Sequence, residues 1–152
     1  MAASTLGSVK DGADLADRKC VPCTTKEGSD LAALSEADAE ALMPKICPSW
    51  KRKDGGLERS FVSKGFKTAM AAIVAFGEAA DAAGHHPDLH LTDYRTVTVR
   101  LTTHGLDGRL SINDFIVAAK LDAIPVAYSP KWARENPEVR AGKAAASPVA
   151  TA

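Results

Sequence analysis

Between residues 64 and 103 the apolar pattern changes its period, and this change constrains the fold more than any other feature of the chain. Phe66, Met70, Ile73, Gly77 and Ala80 recur at spacings of three and four, and Ala69 and Phe76 widen the stripe. That period marks one face of a helix. The pattern predicts a helix over residues 64–83, opened by Ser63, ended by Gly84 and buried along this stripe. Its many alanines and Gly77 suit close approach to a sheet. Further on, Val97, Val99 and Leu101 alternate with Thr96, Thr98, Arg100, Thr102 and His104. A period of two with one apolar face is the mark of a half-buried strand. The helix needs a surface to cover, and the strand offers one.

The remaining segments complete the pattern. Ser35 opens a helix with Asp38 three residues on, and Leu34, Leu42, Met43 and Ile46 give it an apolar side before Pro48 stops it. Trp50-Lys51-Arg52-Lys53 and residues 57–62 are extended runs around Asp54-Gly55-Gly56, a hairpin signal. Residues 89–92 form a short strand. Ser111 opens a last helix through about residue 124, with Asp114 at its third position. The order is α-β-β-α-β-β-α. It implies an α+β fold, a four-stranded antiparallel sheet with helices packed on one face. That domain spans residues 31–124. Residues 1–30 read as a flexible N-terminal arm and residues 125–152 as a flexible C-terminal tail, pinned at its start by Trp132.

Charge narrows the function. Nineteen Lys and Arg balance nineteen Asp and Glu, so the net charge is zero. Direct binding to nucleic acid or to an anionic membrane needs a basic excess that is absent here. No apolar run reaches membrane-spanning length, and the first ten residues lack a secretory core. A cytoplasmic location is expected, with an organelle left open. Of the three cysteines, Cys20 and Cys23 form a CxxC, and only Cys47 remains to pair with them. A zinc knuckle needs a second ligand pair, so the thiols read as reduced and non-catalytic.

All four histidines lie within twenty residues: His85, His86, His90 and His104. Imidazole exchanges protons near neutral pH. His85 and His86 follow the long helix in a loop held by Pro87, and pairing of the two following strands brings His104 back towards them. Three readings stay open on spacing alone. The group is a metal site, a metal-free acid–base centre, or a set of satisfied surface histidines. No HXH or HEXXH spacing occurs.

The segment resembles the active-site signature of the pterin-4a-carbinolamine dehydratases. In that signature an acidic residue precedes His-His-Pro, and an aromatic, a further histidine and an aspartate follow. Here these are Asp81, His85-His86-Pro87, Tyr94, His104 and Asp114, with Trp50 and the segment from Phe61 to Phe66 also matching. Asp81 stands where many members have glutamate, and Leu89 and His90 replace aromatic residues. The likeness covers about residues 33–124. It implies dehydration of 4a-hydroxytetrahydrobiopterin to quinonoid dihydropterin in tetrahydrobiopterin recycling, with no cofactor and no metal. It further implies His85, His86 and His104 as catalytic groups, Asp81 and Asp114 as their supports, and Trp50, Pro87, Tyr94 and Thr103 as substrate contacts. The implied partners are a pterin and further copies of the chain, in a homodimer or homotetramer. The same resemblance extends to dimerisation cofactors of transcription factors, an interaction role that does not need the histidines.

Overall fold

A computed structural model describes residues 9–21 and 31–141 of the chain. Its elements run α1 (Gly12–Asp17), α2 (Glu36–Leu42), β1 (Trp50–Lys53), β2 (Gly56–Val62), α3 (Phe66–Ala83), β3 (Asp88–Thr92), β4 (Thr96–Leu101), α4 (Ile112–Asp122), α5 (Pro130–Glu135) and α6 (Glu138–Ala141). The four strands form one antiparallel sheet in the order β1-β2-β4-β3. The seven elements from α2 to α4 reproduce the α-β-β-α-β-β-α order, and the fold is α+β.

Local chemistry sets the joints. Lys53 pairs with Gly56, so Asp54 and Gly55 alone make the first hairpin turn. Both have positive φ, 49° and 80°. That is the primed turn whose twist suits a hairpin. Ser35 Oγ accepts the Asp38 N–H at 3.1 Å and starts α2. Gly84, at φ 72°, ends α3 in the left-handed conformation.

The strand alternation points Leu57, Arg59 and Phe61 of β2 to the same side as Val97, Val99 and Leu101 of β4, directly opposite them in register. All six are buried. Helices α3 and α4 pack on the protein interior with them, and α4 is buried along nearly its whole length.

The stripe expected to bury α3 holds in part: its Ala69, Phe76 and Ala80 are buried, joined by Ala72. Ala69, Ala72, Phe76 and Ala80 face the core, whereas Phe66 is 54% and Met70 41% exposed. The buried row is three alanines and Phe76, and Phe66, Met70 and Val74 lie outside it. Sequence spacing alone admits either row, because rows separated by one position share the same period.

The two ends also differ from the reading of a loose arm and a loose tail. Leu15 of α1 is fully buried and Val9 nearly so, while Val126, Ala133 and Val139 are buried beyond α4. Trp132 stacks on Tyr128 at 5.2 Å between ring centres, Tyr128 meets Phe61 of β2 edge-on at 5.5 Å, and both pack against the core, which pins this segment. Short apolar residues scattered among polar ones were enough to dock both segments. Residues 1–8, 22–30 and 142–152, Cys23 among them, lie outside the described residues. Cys47 is buried. Among the described residues no helix is long and apolar enough to cross a membrane.

Candidate active site

The carboxylate of Asp114 is the meeting point of the histidine region. Alternation along β4 continues past Leu101, so Thr103 points inward as Val97, Val99 and Leu101 do, and it is buried. There Thr103 Oγ1 donates to Asp114 Oδ2 at 2.8 Å. The Ser111 N–H reaches the same oxygen at 2.9 Å, because Asp114 sits in the first turn of α4 where it folds back on the residue before the helix. His85 Nε2 meets the other oxygen, Oδ1, at 2.6 Å. His85 and Asp114 are both buried. Ser111 Oγ lies 2.7 Å from Thr103 Oγ1 and completes the cluster.

An ionised carboxylate accepts and cannot donate, so His85 presents a ring proton to Asp114 on Nε2. Thr103 spends its hydroxyl proton on Asp114, so Ser111 Oγ donates to Thr103. Three donors converge on one buried carboxylate.

His86 stands apart from this buried group. Its Nε2 meets Asp81 Oδ1 at 3.1 Å, with both side chains exposed. Asp81 lies on the last turns of α3, so the helix end and the following loop face each other across this pair. His104 follows Thr103 and opens a short 3-10 turn, His104–Leu106, rather than ending the strand; it is exposed. The Asp114–Thr103 bond therefore anchors the backbone that presents His104, as the Asp114–His85 bond anchors the loop. Pro87 is half-buried between His86 and β3. Among the described residues no group of three or more His, Cys, Asp or Glu side chains is arranged to hold a metal ion.

Two expected substrate contacts are not brought to this region. Trp50 is on the edge strand β1, three strand positions from β3, which follows the histidine loop. At a spacing of about 4.8 Å per strand that is about 14 Å. It is buried in the core, and its indole N–H is taken by Asp122 Oδ1 at 2.8 Å. Tyr94 lies in the β3–β4 turn with φ 53° and is 60% exposed. That turn is at the far end of β3 from Pro87, about 16 Å away at the rise of an extended strand. His90 is exposed on β3 opposite Thr98, away from Asp114.

Sequence reasoning passed over a second buried polar cluster. Asp122 accepts from the Cys47 N–H at 2.8 Å, from Trp50 Nε1, and from Arg59 Nη1 at 3.3 Å. Arg59 also donates to Tyr128 Oη at 2.6 Å and lies over the rings of Phe61 and Phe76. Burial pushes the Asp122 carboxyl above its ordinary range, and Arg59 with the Cys47 and Trp50 donors works against that. An aspartate at the C-terminal end of α4, after the mostly apolar run of residues 115–119, was the available signal.

Residues 32–124, more than half of the chain, match the profile of the pterin 4 alpha carbinolamine dehydratase family. The chain belongs to that family. The dehydratase-family domain thus begins before α2 and ends just beyond α4. A relative from Arabidopsis thaliana, pterin-4-alpha-carbinolamine dehydratase 2, mitochondrial, is 37% identical over 75% of this chain. The chain spans 60% of that protein's length. A Nitrosomonas eutropha protein provisionally named for the same dehydratase is 39% identical over 73% of this chain and 93% of its own. A crystal structure described as a transcriptional coactivator/pterin dehydratase from Brucella melitensis superposes with a TM-score of 0.55 at 26% identity. It covers 60% of this chain and 97% of that one. Segments α1, α5 and α6 lie outside the family match.

Proposed function

We propose that this chain dehydrates a 4a-hydroxytetrahydropterin, 4a-hydroxytetrahydrobiopterin in tetrahydrobiopterin recycling, to the quinonoid dihydropterin and water. The observation that carries the reading is the buried Asp114 carboxylate, which ties His85 on one side and the residue before His104 on the other, inside a domain that matches the family.

The reaction breaks the C4a–O bond and removes a proton from a ring nitrogen. Hydroxide leaves poorly, so an acid must protonate it as the bond breaks, and a base must take the nitrogen proton. The oxygen departs as water, and the electrons of the N–H bond form the new double bond. His85, with Nε2 held by Asp114, keeps Nδ1 for proton exchange. As it becomes cationic, the neighbouring carboxylate stabilises the ring, as a carboxylate does for a catalytic histidine. His104 is the partner of opposite role, and His86, oriented by Asp81, is a second acid–base or orienting group. Pro87 and Thr103 shape the approach. Neither step calls for a metal or an organic cofactor.

The same reading takes the chain as a homodimer or homotetramer, supported by the exposed Phe66, Met70 and Val74 on α3 and by the edge strands β1 and β3, which pair on one side only among the described residues. It places the protein in the cytoplasm or, as the Arabidopsis relative's name suggests, in an organelle. A second reading, an interaction module for a transcription factor, is favoured by the coactivator description of the Brucella structure and by that exposed α3 row.

The test is the rate of dehydration of freshly generated 4a-hydroxytetrahydropterin beside the uncatalysed rate. Acceleration that disappears in His85→Ala and His104→Ala supports the enzyme. A parent protein no faster than buffer sinks it and leaves the interaction module.

A further inference from the structure

The segment before the family domain is strapped to the helix turn that carries Asp114. Asn113 is fully buried, and its side-chain amide makes two bonds to one residue of that segment. Val21 N–H donates to Asn113 Oδ1 at 2.8 Å, and Asn113 Nδ2 donates to the Val21 carbonyl at 2.8 Å. Both backbone groups of Val21 are thus paired by one side chain, as a neighbouring strand would pair them. Leu15 is buried in the core, and Lys120 Nζ holds the Ala16 carbonyl at 2.6 Å. Lys45 Nζ holds the Lys10 carbonyl at 3.0 Å. At Gly12 a Cβ would meet the Lys45 carbonyl oxygen at 2.5 Å, so the segment lies tight against the domain.

Asn113 and Asp114 are consecutive in the first turn of α4. Successive residues on a helix project about 100° apart. One side chain therefore grips the strap while the next grips His85 and Thr103. A first helical turn has unpartnered N–H groups and frays readily. The strap holds this turn from outside at the place where its position sets the carboxylate.

We infer that Asn113 is a positioning residue: through residues 9–21 it fixes the first turn of α4, and so the alignment of Asp114 with His85. The inference rests on the dehydratase reading for its effect on rate, but its structural part does not. A misplacement of about 1 Å at a catalytic group costs on the order of a hundredfold. A loosened turn is a smaller fault, and a fall in kcat of about tenfold with KM within about twofold is expected for Asn113→Ala.

The experiment uses the full chain with Asn113→Ala. Its kcat and KM are measured against the parent, and the His85 ring nitrogens are followed by long-range proton–nitrogen NMR. The expected result is a lowered kcat and a His85 ring that moves from one tautomer towards a mixture. A His85 spectrum and a kcat unchanged from the parent overturn the inference. If the parent itself shows no dehydratase rate, the functional reading has failed, and the His85 spectrum alone decides on the strap. If Asn113→Ala does not fold, Lys120→Met, which releases the Ala16 carbonyl, is read by the same two measurements with the same criteria.

Discussion

Asp114 and Asp122 are eight residues apart on α4, both buried, and each anchors a different part of the molecule. Asp114 holds the His85 loop and Thr103; Asp122 holds Trp50, the Cys47 backbone and Arg59. One helix thus carries a carboxylate at the end proposed to react and another at the structural end, and the two are separable by substitution.

At the reacting end, Asp114→Asn keeps the shape but offers His85 Nε2 an amide in place of a carboxylate. The imidazole then loses its fixed tautomer and the charge that stabilises it when protonated. A fall in kcat of about a hundredfold or more is expected, at the scale of losing an acid–base group's support. Steady-state kinetics beside a melting curve would show it, and a rate within twofold of the parent would count against any role for Asp114 in proton transfer.

The histidines divide by position. His104→Ala should lower turnover by about a hundred- to ten-thousandfold, as the loss of one acid or base does. His90→Ala should be nearly silent, since His90 faces outward on β3. His86→Ala should cost an intermediate amount, because its bond to Asp81 is exposed. Four variants including His85→Ala, checked by circular dichroism and then assayed, test this order; equal damage from His90→Ala and His104→Ala would refute it.

At the structural end, Asp122→Ala strands the buried Arg59 charge. A loss of about 3–5 kcal/mol is expected in urea unfolding, and far less for Arg59→Met combined with Asp122→Leu, which removes both charges. The pH dependence follows from the direction of the shift. Burial raises the folded-state pKa of Asp122 above its ordinary 3.8, so the folded protein prefers the neutral acid. Its contribution is therefore fully present below that ordinary value and is lost as pH rises through the folded one. The stability of Asp122→Asn relative to the parent should improve as pH rises across that window, and thermal melts at a series of pH values measure it. A stability of Asp122→Asn that falls relative to the parent as pH rises would reverse the sign.

Metal independence is the fourth expectation. The chemistry proposed needs only proton donors and acceptors, so protein treated with a strong chelator should keep its full rate. Activity lost to the chelator and restored by zinc alone would replace the acid–base account with a metal one.

The sequence made the domain legible because its signals are local. Asp54-Gly55 names its own turn, Ser35 its own helix start, and the alternation from Val97 to Leu101 its own face. The link from His85 to Asp114 was legible only through the family signature, for the partners are 29 residues apart. Trp50 misled because a matching position carries no information about which way a side chain is engaged. Of the α3 stripe, Ala69, Phe76 and Ala80 were read correctly, and Phe66 and Met70 were not, because neighbouring rows of a helix share one period and contact with the rest of the core decides between them. Asn113 left no local trace at all. It reads as an ordinary first-turn residue, and its partner Val21 is 92 positions away.

The pairing of Val21 has a use of its own. Its amide hydrogen sits against a buried side chain, so it exchanges with solvent only when that segment lifts away. The exchange rate of this single proton is therefore a clock for undocking. It reports, without any added label, how much of the time the chain spends with its leading segment released.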